Sequence, residues 1–172
     1  SAQRSPMVLM FGASAIAVLV AASYQHARAL GGEGSPLTDT YVSTYEIVQE
    51  FPHDGNAFTQ GLVFDDDGHL YESDGLFGKS VVRKVDVLTG TSTHKTANEH
   101  HHFAEGIEVI GDKLVQLTWK NHMINEYALS DLRHIRSIPN PVGREGWGLA
   151  SDGERLYLSD STDALFHLNL TT

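Results

Sequence analysis

Gly61-Leu62-Val63-Phe64, Asp66-Asp67-Gly68, Leu70-Tyr71-Glu72-Ser73 is the stretch that decides the fold, because its pattern returns twice. The second copy reads Gly106-Ile107-Glu108-Val109, Gly111-Asp112, Leu114-Val115-Gln116-Leu117. The third reads Gly148-Leu149-Ala150, Asp152-Gly153, Leu156-Tyr157-Leu158-Ser159. Each is a strand, a turn built on Asp-Gly or Gly-Asp, and a second strand; such dipeptides accept the positive φ that tight hairpins demand. The leading glycines, at 61, 106 and 148, recur every 42 to 45 residues. A further strand follows each hairpin, over 81–87, 123–129 and 164–170. About four short strands per 40–45 residues is the period of a β-propeller blade. An all-β sandwich with evenly spaced hairpins is the alternative, and the aligned glycines argue against it.

Three such units fall short of a closed ring, which takes four to eight blades. The third unit lacks an outermost strand, and the strand expected over 41–50 has no hairpin of its own. An open arc leaves sheet edges exposed, which natural proteins avoid. The expectation is therefore a fragment, a propeller completed by another chain, or edges covered by a partner.

Working outward, the chain has 172 residues and a formal net charge of −10. In the first 35 residues Arg4 and Arg28 stand against Glu33, so the acidic excess belongs to the rest. An acidic domain repels phosphate backbones, and no nucleic-acid partner is expected. The absence of cysteine excludes disulfides, thiolate zinc sites and a cysteine nucleophile. From Ser5 to Gln25 no side chain is formally charged, and Met7 to Ala22 is apolar or small throughout. Two readings compete: a signal peptide cleaved at Ala27-Arg28-Ala29, and a retained transmembrane helix. The helix is the expectation carried forward. The domains are then an anchor or uncleaved signal segment over 1–29, a Gly/Ser/Pro linker over 30–40, and a partial propeller over 41–172. The soluble part would lie outside the cytoplasm or in an organelle lumen.

Between the repeats lie five phrases that periodicity does not require. They are Phe58-Thr59-Gln60-Gly61-Leu62, Tyr71-Glu72-Ser73-Asp74-Gly75, Phe103-Ala104-Glu105-Gly106-Ile107, Gln116-Leu117-Thr118-Trp119-Lys120 and Glu145-Gly146-Trp147-Gly148-Leu149. In this order and spacing the set resembles the plant and bacterial type of glutaminyl-peptide cyclotransferase over about residues 41–170. The resemblance implies a five-bladed propeller that converts the N-terminal glutamine of a peptide to pyroglutamate and releases ammonia, without a cofactor or metal. It assigns the acid/base role to Glu105. It assigns substrate binding to Phe58, Gln60, Phe103, Trp119 and Trp147. The family's further Asn, Trp and Lys fall in repeats beyond residue 172. The alternative is a non-catalytic accessory subunit of a membrane complex, derived from such an enzyme.

The spacing supports the site independently. Phe58 and Gln60 are two apart, as are Phe103 and Glu105, so on extended backbone each pair points to one side. Aromatic walls exclude water and raise a carboxylate's pKa. Two other signals are set aside. Glu99-His100-His101-His102 is not taken as a metal site, because consecutive residues on a strand alternate faces. Asp65-Asp66-Asp67-Gly68 lacks the twelfth-position Glu of a calcium loop, and a hairpin turn explains it.

Overall fold

A computed structural model describes residues 7–11, 16–24 and 43–169, with side chains from residue 47 onward. The chain divides into two compact units, 1–55 and 56–172.

In the first unit, β1 (Met7–Phe11), β2 (Ile16–Tyr24) and β3 (Ser43–Pro52) form an antiparallel sheet in that order. The sequence predicts one helix across this apolar stretch; its described residues are strands instead. A continuous apolar run has no period to separate helix from strand, and here β3 supplies the backbone partner. Tyr24 pairs with Ser43 and Ile16 with Pro52. The leading strand expected over 41–50 thus pairs with β2. Among the described residues no helix is long and apolar enough to cross a membrane. The expected linker and cleavage site lie outside the described residues.

In the second unit the three repeats are three meander sheets. The first holds β4 (Thr59–Phe64), β5 (Leu70–Asp74), β6 (Val81–Val85) and β7 (Ser92–Ala97). The second holds β8 (Ala104–Ile110), β9 (Lys113–Thr118), β10 (Met123–Ala128) and β11 (His134–Pro139). The third holds β12 (Leu149–Ser151), β13 (Arg155–Ser159) and β14 (Leu165–Asn169). All pairings are antiparallel. The hairpin glycines Gly68 and Gly153 have φ of 83° and 91°, and a side chain there would meet nothing, so the backbone alone demands glycine.

The core sits between neighbouring sheets. Tyr71, Val82, Ile107, Leu114, Tyr127 and Leu132 fill the space between the first and second. Val115, Leu117, Ile124 and Leu158 fill the space between the second and third. The middle strand β5 is buried along its whole length, whereas the outer strand β7 is mostly exposed. Sheets stacked face to face like this, with inner strands β4 and β12 both against β8, make the radial packing of a propeller.

The repeating glycines explain how the inner strands meet. A Cβ on Gly61 would lie 2.8 Å from Ile107 N, and one on Gly106 would lie 2.5 Å from Trp147 O. The Gly106 N–H donates to that same carbonyl at 2.8 Å. Backbone packs on backbone there, and no side chain has room.

Buried polar groups tie the sheets together. Gln116, fully buried, donates through Nε2 to Ser73 Oγ at 2.9 Å. Its Oε1 accepts from Asn98 Nδ2 at 2.6 Å and Tyr127 OH at 3.0 Å. Buried Glu72 accepts from Arg83 Nε at 3.0 Å and from the Thr59 hydroxyl, and the Arg83 guanidinium also reaches Asp74 at 3.3 Å.

Gly106→Ala should lower stability by about 1–3 kcal/mol, the usual result of forcing a methyl group into filled space. Urea unfolding reads this as a lower midpoint at unchanged slope. An unshifted midpoint would remove the close approach as a structural requirement.

Candidate active site

The candidate residues sit where β4 and β8 begin, and both strands carry a bulge there. The register of β4 on β5 shifts between Thr59 and Gly61, leaving Gln60 outside the ladder. The register of β8 on β9 shifts between Ala104 and Ile107, leaving Glu105 and Gly106 outside it. A bulge re-aims the side chains it frees, and bulges concentrate beside active sites. Gly106 uses its freed N–H to bond the next sheet, which fixes Glu105 at the innermost position.

The aromatic candidates form one connected row. Phe58 and Phe103 meet edge to face at 6.2 Å, Phe103 and Trp119 at 5.6 Å, and Trp119 and Trp147 at 5.8 Å. The Lys120 ammonium lies 4.1 Å from the Trp119 ring centroid. Gly75 makes room for the start of the row: a Cβ there would lie 2.5 Å from Phe103 Cε1 and 3.0 Å from Gln60 Cγ. Phe103 and Gln60 therefore converge on one spot, although they come from different sheets.

Glu105 is 3% exposed. Burial and, second, the negative charge of Glu145 push its carboxyl up to about 7. Glu145 itself accepts from Trp147 Nε1 at 3.3 Å and Ser161 Oγ at 3.3 Å. The neighbouring Trp119 indole and these two donors hold Glu145 below the usual carboxylate range, so it stays ionised while Glu105 does not. Trp119 Nε1 is buried and meets no acceptor at hydrogen-bonding geometry, although it lies close enough to act on the Glu145 charge. The result is one carboxylate held ionised by its donors, a second poised to exchange a proton near neutrality, and an aromatic wall whose Trp119 indole lies beside the charged one.

The structure thus gathers Phe58, Gln60, Phe103, Trp119 and Trp147 along one face and links Glu105 to it through Glu145. Two participants were not singled out from the sequence. Phe77 bridges Phe103 at 5.4 Å and Trp119 at 6.4 Å. Its signal was weak: an exposed aromatic within the turn after β5, behind Leu76, whose φ of 79° is uncommon for a side-chain-bearing residue. Glu145 stands in a quoted phrase, but only folding reveals its distance to Glu105.

Fold and site together define a propeller-like protein with a row of aromatic rings and a buried, raised carboxyl beside a charged one. The chain matches the model of the glutamine cyclotransferase family over residues 13–172, and it belongs to that family. It is 39% identical over 131 residues to the glutaminyl-peptide cyclotransferase of Arabidopsis thaliana, which covers 76% of this chain and 41% of that protein. It is similar to the crystal structure of the glutaminyl cyclase of Myxococcus xanthus, with a TM-score of 0.65 and 31% identity, over 73% of this chain and 51% of that one. The WD40 β-propeller domain of Doa1 shares the fold alone, with a TM-score of 0.52 and 16% identity over 73% of this chain and 42% of that one. The chain spans about half the length, or less, of these relatives.

The raised pKa has a consequence for stability. The unfolded Glu105 carboxyl keeps its ordinary value of 4.5, and the folded one titrates near 7. The folded state then binds the extra proton, so stability is lost as pH rises from about 4.5 to about 7. Glu105→Gln, which mimics the protonated form, should melt higher than the parent at pH 8 and equal it at pH 4. Melting curves that differ by the same amount at both pH values would contradict a raised Glu105.

Proposed function

We propose that this protein cyclises the N-terminal glutamine of peptides to pyroglutamate with release of ammonia. The observation that carries the reading is a buried carboxyl with a pKa near 7 at the head of an aromatic row. In the reaction the substrate's α-amine attacks its own γ-carboxamide carbon. A C–N bond forms, the carbonyl oxygen takes negative charge, and the original C–N bond then breaks. One proton must leave the attacking amine and another must reach the departing nitrogen. A single group near neutral pKa can do both, as base and then as acid. Glu105 is that group.

The remaining residues take roles that follow from their chemistry. The Gln60 amide, freed by its bulge, offers a donor and an acceptor to the substrate carboxamide. Phe58, Phe103, Trp119 and Trp147 cover the short apolar stem of the glutamine and exclude water. The Trp119 N–H, buried beside Glu145 and short of hydrogen-bonding geometry with it, is a donor that can turn to developing negative charge on oxygen. Glu145 orients Trp147 and, by its charge, keeps Glu105 from ionising at low pH. The same proposal carries an extracytoplasmic or lumenal location, resting on the uncharged stretch 5–25.

Ammonia release from a Gln-initiated dipeptide tests the proposal. Glu105→Gln should lower turnover by a factor of about 10² to 10⁴, the usual share of general acid–base catalysis. The parent profile should fall on the acid side of about pH 7, where Glu105 becomes protonated. Glu145→Gln removes the charge that raises Glu105 and should move that limb to lower pH. Turnover that ignores Glu105→Gln would overturn the assignment. A correctly folded protein with no turnover at all would favour the other reading, a non-catalytic accessory subunit derived from a cyclase.

A further inference from the structure

The run Glu99-His100-His101-His102 has no part in this chemistry, and its structure differs from the alternating strand that argued against a metal. It is a turn between β7 and β8, closed by the His102 N–H donating to the Glu99 carbonyl at 2.8 Å. Alternation does not apply in a turn. One ligand atom from each of Glu99, His101 and His102 lies within 4.8 Å of the others. The His101 and His102 rings meet edge to face at 4.6 Å.

Two features set this cluster apart from an ordinary surface turn. First, His101 Nε2 and Glu99 Oε2 are 3.5 Å apart. That is long for a charge-assisted hydrogen bond. It matches the edge of a tetrahedron of donors about 2.1 Å from a zinc ion, roughly 3.4 Å. Second, His102 is only 4% exposed, and its Nδ1 is buried without a hydrogen-bond partner. Asn98 Oδ1 is also buried and unpartnered, while its Nδ2 is held by Gln116. Asn98, Glu99 and His102 line one cavity of about 160 Å³. A buried ring nitrogen without a partner, on a side chain that lines a cavity, calls for an ion or an ordered water. The other cluster of similar composition, Asp65, Asp67 and His69, satisfies itself: His69 Nδ1 and the His69 N–H both bond Asp65 at 2.8 Å.

We propose that Glu99, His101 and His102 form a binding site for a divalent ion of the zinc type, with Asn98 Oδ1 accepting from a metal-bound water. Two imidazoles and one carboxylate, with no thiolate, suit zinc, cobalt or nickel rather than calcium or magnesium. The ion would clamp the turn that delivers Phe103, Ala104 and Glu105 to the head of β8, so its first effect is on stability.

The test uses untagged protein treated with EDTA and then titrated with Zn²⁺ or Co²⁺. One Zn²⁺ per chain should bind saturably and raise the melting temperature, and Co²⁺ should give visible absorption bands of a low-symmetry site. Glu99 and His101 are exposed, so Glu99→Gln and His101→Ala should fold normally, weaken Zn²⁺ binding by more than about ten-fold and abolish the thermal shift. Asp67→Asn should change neither. The proposal is overturned by an absence of saturable binding to the parent, by unchanged affinity in His101→Ala, or by loss of binding in Asp67→Asn. Binding and melting need no turnover, so this outcome is independent of the cyclase reading.

Discussion

The contact on which the rest depends is backbone against backbone at Gly61 and Gly106. Any side chain at these positions would push β4 from β8, or β8 from the loop before β12, by the width of a methyl group. The sheets would splay, and the core between them, from Tyr71 to Leu158, would lose its packing. A blade motif therefore repeats its glycine before it repeats anything else. The same close approach sets the scale of the site, since Gln60 and Glu105 each stand one residue before such a glycine.

The bulges convert this structural requirement into a chemical one. In a regular ladder only alternate amides of the edge strand β8 face β9, and the bulge at Glu105 and Gly106 breaks that alternation. The bulge releases the Gly106 N–H to the Trp147 carbonyl, so one hydrogen bond locks two sheets and places both residues of the site. Behind it, Gln116 is satisfied from three elements at once, which makes its position stiff. Glu72, Arg83 and Asp74 form a buried ionic group, in which removing Arg83 would leave two buried carboxylates without their shared cation. These groups tie together the strands β5, β6, β9 and β10 of the first two sheets.

Electrostatically the site is asymmetric by construction. Glu145 has indole and hydroxyl donors and stays charged. Glu105, buried and facing that charge, does not ionise until near neutrality. Two carboxylates of equal intrinsic acidity are thus separated by their surroundings, the arrangement that lets one of them exchange protons while the other holds position. The turn 98–103 feeds Glu105 into this field.

Sequence by itself determined the all-β class of the repeats, their number within the chain and their hairpin turns. These follow from local rules: period-two alternation, Asp-Gly turns, and glycines that recur at a fixed interval. Phe58, Gln60, Phe103, Glu105, Trp119 and Trp147 stood out because they sit in phrases that the repeat does not need, and their roles were read from the family those phrases resemble. Only the tertiary structure decided the rest. The apolar run at residues 7–24 carries no period, so its strands are set by pairing with β3. The histidine turn departs from strand alternation because a single backbone hydrogen bond closes it. Phe77 and Glu145 join the site through space, Phe77 from the turn after β5 and Glu145 from the loop before β12. Spacing along a chain encodes which face a residue occupies; it does not encode how deeply folding will bury it or which charge will face it, and those two set the pKa of Glu105, burial first and Glu145 second.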